Sequence, residues 1–207
     1  EYFDRIIPLG MDCSVAGSIR KIGCKECSYP FDWNVTTLSF IIECFNSKFK
    51  NFENIFNKCV KSGNTYLKYN NSIYFYHDSI EVTDELKKKY IRRSLRLHNL
   101  LNENKKILFV RKASTDKIKD IQLLKKIIIT NYPNLKFKIL LINSIEHQDN
   151  TDEHIIHKYK NPKCFLSYNN DVYSHQDKKK AYDCVYEEIK KFKSEIFLQP
   201  KNRDSDR

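Results

Sequence analysis

Cys13 is the residue whose type and position in this sequence point most directly to chemistry. It follows the turn Leu9–Asp12 and precedes a predicted helix over Ser14–Ile22, so it lies between a strand end and a helix start. The positive end of a helix dipole and its unpaired amides lower the pKa of a thiol and favour the nucleophilic thiolate. The alternative is a buried cysteine that packs as a small apolar residue. The spacing alone favours neither interpretation.

His77 is the candidate base for that thiol, because a nucleophilic cysteine needs an imidazole that is itself held by a third polar group. It follows a predicted strand over Ile73–Tyr76 and is followed by Asp78. Neighbouring residues on a strand point to opposite faces, so Asp78 can orient His77 only if the strand ends there. The alternative is an ordinary surface histidine at a strand end.

Asp32 lies in the segment Ser28–Trp33, where Phe31 and Trp33, the only tryptophan, flank the carboxylate. A carboxylate in apolar surroundings needs a partner, which makes Asp32 either a structural anchor or a residue of the site. We expect Trp33 to line the same cleft.

Three arginines are candidates for binding an anion or for pairing with Asp32. Arg111 closes a predicted strand over Ile107–Val110, and parallel sheets bind their ligands at the carboxyl ends of their strands. Arg92 and Arg93 lie on a predicted amphipathic helix over Asp84–Asn102, where arginines also occur simply as the solvated face. The sequence therefore predicts ligand-binding roles for Arg92, Arg93 and Arg111.

The segments that contain these residues resemble a known family. Residues 8–16 and 28–33, and then Tyr76–Asp78, Lys89–Arg93 and Leu108–Arg111, are similar to a family of uncharacterised bacterial and viral proteins labelled "putative papain-like cysteine peptidases". The resemblance implies that Cys13 is the nucleophile and His77 the base, with Asp78 or Asp32 orienting it. It also implies a papain-like α+β fold.

The clearest structural pattern is a βαβ unit over residues 107–142. Apolar runs at Ile107–Val110 and Phe137–Ile142 predict two buried strands, and Lys117–Thr130 between them predicts a helix. This Rossmann-like unit favours an α/β fold with a mainly parallel sheet and helices on both faces, and the papain-like α+β fold remains the alternative. The other predicted elements are a strand over Arg5–Pro8, a helical region over 38–60, a strand over Lys163–Ser167 and a helix over Lys178–Phe192.

Composition bounds the class of protein. The 207 residues predict a single domain over 1–198 and a disordered tail over 199–207. Seven cysteines, an odd number, favour reduced thiols and a cytoplasmic location, the host cytoplasm for a viral protein. No apolar run approaches the ~18 residues that span a bilayer, so no membrane partner is expected. The net charge of +11 comes from scattered lysines and does not favour nucleic acid.

No metal or cofactor site is predicted. Cys24 and Cys27 form a single CxxC without the second pair of a zinc site, and His154 and His157 are similarly unaccompanied. A chain with four glycines contains neither phosphate-binding glycine motif, GxxxxGK[ST] nor GxGxxG.

Three functions stay open at this level. The first is a cysteine-dependent hydrolase that acts on peptides through Cys13 and His77. The second is a glycosyltransferase or esterase-like enzyme that binds a glycan or a phosphate-containing substrate through the arginines. The third is a noncatalytic binding module. The oligomeric state does not follow from the sequence.

Overall fold

A computed structural model describes residues 2–50, 52–63, 65–113, 116–143, 152–160 and 175–193. Its strands are β1 (Arg5–Pro8), β2 (Val35–Thr36), β3 (Val60–Ser62), β4 (Tyr66–Tyr69), β5 (Ile73–Phe75), β6 (Lys106–Ala113), β7 (Lys136–Asn143) and β8 (Ile155–Tyr159). Its helices are α1 (Cys13–Lys21), α2 (Leu38–Asn46), α3 (Phe52–Phe56), α4 (Asp84–Leu101), α5 (Ile118–Asn131) and α6 (His175–Lys190). None of the helices in these ranges is both long and apolar enough to cross a bilayer.

A four-stranded parallel sheet in the order β1-β6-β7-β8 organises the fold. The central strand β6 places Val110 opposite Pro8 of β1 on one side and opposite Leu140 of β7 on the other. The unit β6-α5-β7 confirms the predicted βαβ pattern. Parallel strands buried on both faces need continuous apolar runs, which is why these segments could be recognised in the sequence.

Helices cover both faces of the parallel sheet, as predicted. Odd-numbered residues of β6, such as Phe109, face a core that also contains apolar side chains of α2, α4 and α5. Even-numbered residues, such as Val110, face a smaller core built with Val15 and Ile19 of α1 and with side chains of α6. The alternation along β6 therefore decides which helix layer each side chain meets.

A second, antiparallel sheet has the order β2-β5-β4-β3. Its strand β5 confirms the strand predicted over Ile73–Tyr76, but the sheet and its other three strands were not predicted. Its inward residues Leu67, Ile73 and Phe75 are buried in the larger of the two cores. The helical region predicted over 38–60 is wrong at its end, because α3 stops at Phe56 and the chain enters β3 at Val60. Strand β8 was also missed. The predicted strand over 163–167 and the predicted tail lie outside the described residues.

Candidate active site

A tight turn connects β1 to Cys13. Gly10 and Met11 have φ values of 64° and 78°, in the left-handed region that favours glycine. The Met11 amide donates a hydrogen bond to Thr36 Oγ1 at 3.2 Å. A Cβ atom on Gly10 would lie 1.6 Å from the same oxygen, so only glycine fits where the turn crosses β2.

Asp12 caps α1 and lies in a buried ion pair. It accepts hydrogen bonds from the Ser14 amide at 2.7 Å and from the Ser14 hydroxyl, which is the usual role of an N-cap aspartate. Lys112, near the end of β6, reaches its carboxylate at 2.7 Å, and both side chains are buried. Burial raises the pKa of Asp12, but the ion pair with Lys112 and the hydrogen bonds outweigh it, so that the pKa is lowered overall. An ionised carboxylate therefore lies next to Cys13.

The Cys13 thiol forms its hydrogen bond with Tyr182 of α6, with 2.9 Å between Sγ and the phenol oxygen. Gly17 permits this approach, because a Cβ atom there would lie 2.7 Å from the Tyr182 ring. Burial raises the pKa of the Cys13 thiol, the Tyr182 hydrogen bond lowers it and the Asp12 charge raises it, with a net rise. A backbone hydrogen bond at the helix start also lowers this pKa, but burial and the Asp12 charge outweigh it, so the expectation of a lowered pKa for Cys13 is wrong.

A cavity of about 460 Å³ opens at the thiol. Its wall is formed by side chains from α1, α4, α6 and the segments before β2 and after β5: Cys13, Arg20, Trp33, His77, Asp78, Lys89, Arg93 and Tyr182. The structure thus brings together five of the residues predicted from the sequence, namely Cys13, Trp33, His77, Asp78 and Arg93.

His77 lies on the exposed side of this cavity, two residues after β5 ends at Phe75. Its ring meets the Trp33 ring edge-on, with 6.3 Å between the centroids and an interplanar angle of 76°. In the described part of the chain no hydrogen bond joins His77 to Cys13. The two side chains therefore share the cavity without direct bonding in this conformation.

Asp78 is held by helix α4. Its carboxylate forms an ion pair with Lys89 and accepts a hydrogen bond of 2.6 Å from the Tyr90 hydroxyl. The same hydroxyl lies 3.0 Å from Asn34 Oδ1, which links α4 to the segment before β2. Burial and the neighbouring Asp78 charge raise the pKa of Tyr90 well above its usual range, so it remains a donor. Asp78 is thus oriented by Lys89 and Tyr90, and no hydrogen bond among the described residues joins it to His77.

Asp32 is fully buried beside the cavity and does not line it. Its partner is Lys25, which also donates to the Cys27 carbonyl at 3.0 Å, so a lysine takes the place where an arginine was expected. Burial raises the pKa of Asp32, and the lowering by Lys25 and by the more distant Arg93 does not fully offset it. Asp32 anchors the loop that carries Trp33.

The three predicted arginines have different positions. Arg93 lines the cavity, whereas Arg92 is exposed and lies outside its wall. Arg111 is 1% exposed and also lies outside it. Its guanidinium donates to the carbonyls of Leu9 at 2.7 Å and Thr36 at 2.9 Å, and it pairs with Asp116 at 2.6 Å. Arg111 therefore ties β1 to β2 beneath the turn that leads to Cys13.

Sequence reasoning missed Arg20, Lys89 and Tyr182. Arg20 follows Cys13 by seven residues and therefore lies on the same face of α1, a spacing that was available in the sequence. Lys89 precedes the predicted Arg92–Arg93 pair by one helical turn. Tyr182 lies 169 residues from Cys13 and had no local signal. The described residues contain no group of three or more His, Cys, Asp or Glu side chains that could hold a metal.

Comparisons with known proteins give one family match and one viral relative. The chain is 27% identical to "Uncharacterized protein R408" of Acanthamoeba polyphaga mimivirus, over 66% of this chain and 77% of that protein. No solved structure matches the chain. Residues 4–147 match the sequence model of one family, which is more than half of the chain and includes every cavity residue except Tyr182. The chain therefore belongs to the family described as "Putative papain-like cysteine peptidase (DUF1796)".

Proposed function

We propose that the protein is a cysteine-dependent hydrolase in which Cys13 is the nucleophile and His77 the general base. The observation that carries this proposal is the cavity itself, because Cys13 and His77 are the one thiol and the one imidazole that the described residues contribute to its wall. The family description supports the same reaction class. A thiol and an imidazole facing one cleft are the minimum set for acyl transfer through a covalent intermediate.

The proposed reaction takes place in two steps. The thiol proton moves to a ring nitrogen of His77 as the sulfur attacks the substrate carbonyl carbon, and the amine or alcohol leaves with that proton. Water then attacks the resulting thioester with His77 again accepting a proton, and the carboxylic acid and the thiol are released. The raised pKa of Cys13 means that the resting thiol is protonated, so proton transfer to the base accompanies the attack.

Acylation by an activated ester tests this function without knowledge of the natural substrate. The protein is mixed with excess p-nitrophenyl acetate, and the expected result is a burst of p-nitrophenolate with one acetyl group found on Cys13 by peptide mass spectrometry. Cys13→Ala should abolish the burst. Cys59→Ala removes a half-buried thiol outside the cavity and should preserve it. A burst that survives in Cys13→Ala would overturn the proposal.

A transferase or esterase with a phosphate-containing or sugar substrate is the second candidate. Its supporting observation is the basic wall, to which the described residues contribute Arg20, Lys89 and Arg93 and one carboxylate, Asp78. The positions of Arg92 and Arg111 outside the cavity weaken it. A thermal-shift series with nucleotide sugars tests it, because a ligand at about 100 times its Kd adds about 2.7 kcal/mol of stability. Stabilisation without any turnover would instead favour a noncatalytic binding module.

A further inference from the structure

The wall of the Cys13 cavity carries more positive than negative charge. Among the described residues, three basic side chains, Arg20, Lys89 and Arg93, line it together with one acidic side chain, Asp78. Lys89 is already paired with Asp78, so the two arginines hold the uncompensated charge. A concave site with one sign of charge attracts a ligand of the other sign.

Arg20 lies where it can contact a group bound beside the thiol. It shares a face of α1 with Cys13, and its guanidinium lies 5.2 Å from the centre of the Trp33 ring. Stacking on an indole face restrains an arginine without using its hydrogen-bond donors. No carboxylate among the described residues forms an ion pair with Arg20, which leaves those donors available to a ligand.

Arg93 reaches the cavity from a different element, helix α4. Its guanidinium lies 5.2 Å from the centre of the Tyr90 ring, and its Nη1 atom is buried without a hydrogen-bond partner in the described part of the chain. The nearby Asp32 acts on it only at longer range, because Lys25 holds that carboxylate. Arg93 therefore keeps a guanidinium donor that the described residues do not use, and arginine is the side chain that binds carboxylates in a bidentate manner.

We infer that the cavity selects acyl substrates with a carboxylate next to the scissile bond, such as a peptide with an acidic residue there, and that Arg20 and Arg93 bind this carboxylate. The inference rests on the proposed function for the acyl group and adds the substrate class. The cavity of about 460 Å³ is large enough for one side chain together with the reacting carbonyl. Both arginines line the cavity that also contains the thiol, so an anion that they bind shares the cavity with the sulfur.

Two alkylating reagents of nearly equal size test this directly. Iodoacetate carries a carboxylate beside the reacting carbon and iodoacetamide a neutral amide, and each transfers its methylene carbon to the thiolate with loss of iodide. The rate of modification at Cys13 is measured by peptide mass spectrometry with each reagent at mildly alkaline pH. The ratio of the iodoacetate rate to the iodoacetamide rate reports the anion preference of the site, because the thiolate fraction cancels.

The inference predicts that Arg20→Gln and Arg93→Gln each lower this ratio about fivefold, the order of magnitude expected for losing one partly exposed charge pair. Arg92→Gln is the matched control, since it removes the same charge from the neighbouring position on α4 outside the cavity. It should leave the ratio unchanged. The wild-type ratio should also fall as salt is added, because screening weakens the attraction. Circular dichroism confirms that each variant is folded.

Three results would overturn the inference. They are equal ratios in Arg20→Gln, Arg93→Gln and Arg92→Gln, no modification of Cys13 by either reagent, and stronger protection of Cys13 by inorganic phosphate than by glutarate at equal ionic strength. The last would assign the cavity to a phosphate-bearing ligand. Failure of the hydrolase proposal is separate, because it appears as loss of the ester burst whatever the alkylation ratio. A normal burst with unchanged ratios would reject the substrate class alone.

Discussion

Replacing Gly10 with alanine tests how the turn before Cys13 is built. Two costs add at this position. A non-glycine residue in the left-handed region costs about 1–2 kcal/mol, and the new Cβ would lie 1.6 Å from Thr36 Oγ1 and 2.9 Å from Thr36 Cβ. Thr36 is fully buried, so the methyl group forces the packed β1–β2 junction apart, for which overpacking costs about 1–3 kcal/mol. We expect Gly10→Ala to lower the free energy of unfolding by about 2–5 kcal/mol.

Gly23→Ala is the matched control, since Gly23 also has a left-handed φ, 81°, but no atom lies within 4 Å of its Cβ position. Both variants introduce backbone strain, but only Gly10→Ala introduces the clash with Thr36. The difference between their free energies of unfolding, measured by urea denaturation, is therefore the cost of the clash. In a protein that already carries Thr36→Ala, Gly10→Ala should lower the free energy of unfolding by less, because the Thr36 Oγ1 atom is absent. Equal destabilisation by Gly10→Ala and Gly23→Ala, or strict additivity with Thr36→Ala, would refute this reasoning.

Two further predictions concern the surroundings of the thiol. The pKa of Asp12 is lowered in the folded protein, so its contribution to stability is present above about pH 4 and is lost as the pH falls through the folded pKa. Lys112→Met leaves that carboxylate buried and unpaired, so we expect the free energy of unfolding to fall by about 3–5 kcal/mol at neutral pH and by less toward pH 4. Urea denaturation at several pH values measures this loss, and a loss that does not depend on pH would contradict the prediction. Tyr182→Phe removes the hydrogen bond that lowers the Cys13 pKa, so the pH profile of Cys13 alkylation should move to higher pH. An unmoved profile would show that Tyr182 does not act on the thiol.

The parallel sheet could be predicted because its central strands are buried on both faces and contain the apolar runs Ile107–Val110 and Ile139–Ile142. Strand β8 (Ile155–Tyr159) was not predicted because its sequence is not continuously apolar. It pairs only with β7 among the described strands, and an edge strand tolerates the His157 and Lys158 side chains. In the antiparallel sheet only β5 was predicted, because β2, β3 and β4 have two, three and four residues. Short strands of this kind owe their pairing to tertiary packing, which local sequence does not encode.

The site could be predicted in part for a similar reason. Cys13 and His77 follow strands, and a strand end is a position that the sequence reveals. Arg111 shows the limit of that signal, because a strand-end arginine that binds a ligand and one that ties the backbone of two strands look the same in sequence. The contact between Cys13 and Tyr182 depends on how closely α1 and α6 pack at Gly17. This packing joins residues far apart in the chain, so the local sequence does not reveal it.

The most direct test of the central claim is the rate at which Cys13 is acetylated by p-nitrophenyl acetate in His77→Ala and in the wild type. His77 is exposed and its ring contacts Trp33 at the cavity, so its removal should leave the fold intact. If His77 accepts the thiol proton, acylation at neutral pH slows by about 100-fold or more. The difference should narrow at high pH, where the thiolate forms without a base. An acylation rate in His77→Ala equal to that of the wild type at neutral pH would contradict a Cys13–His77 pair.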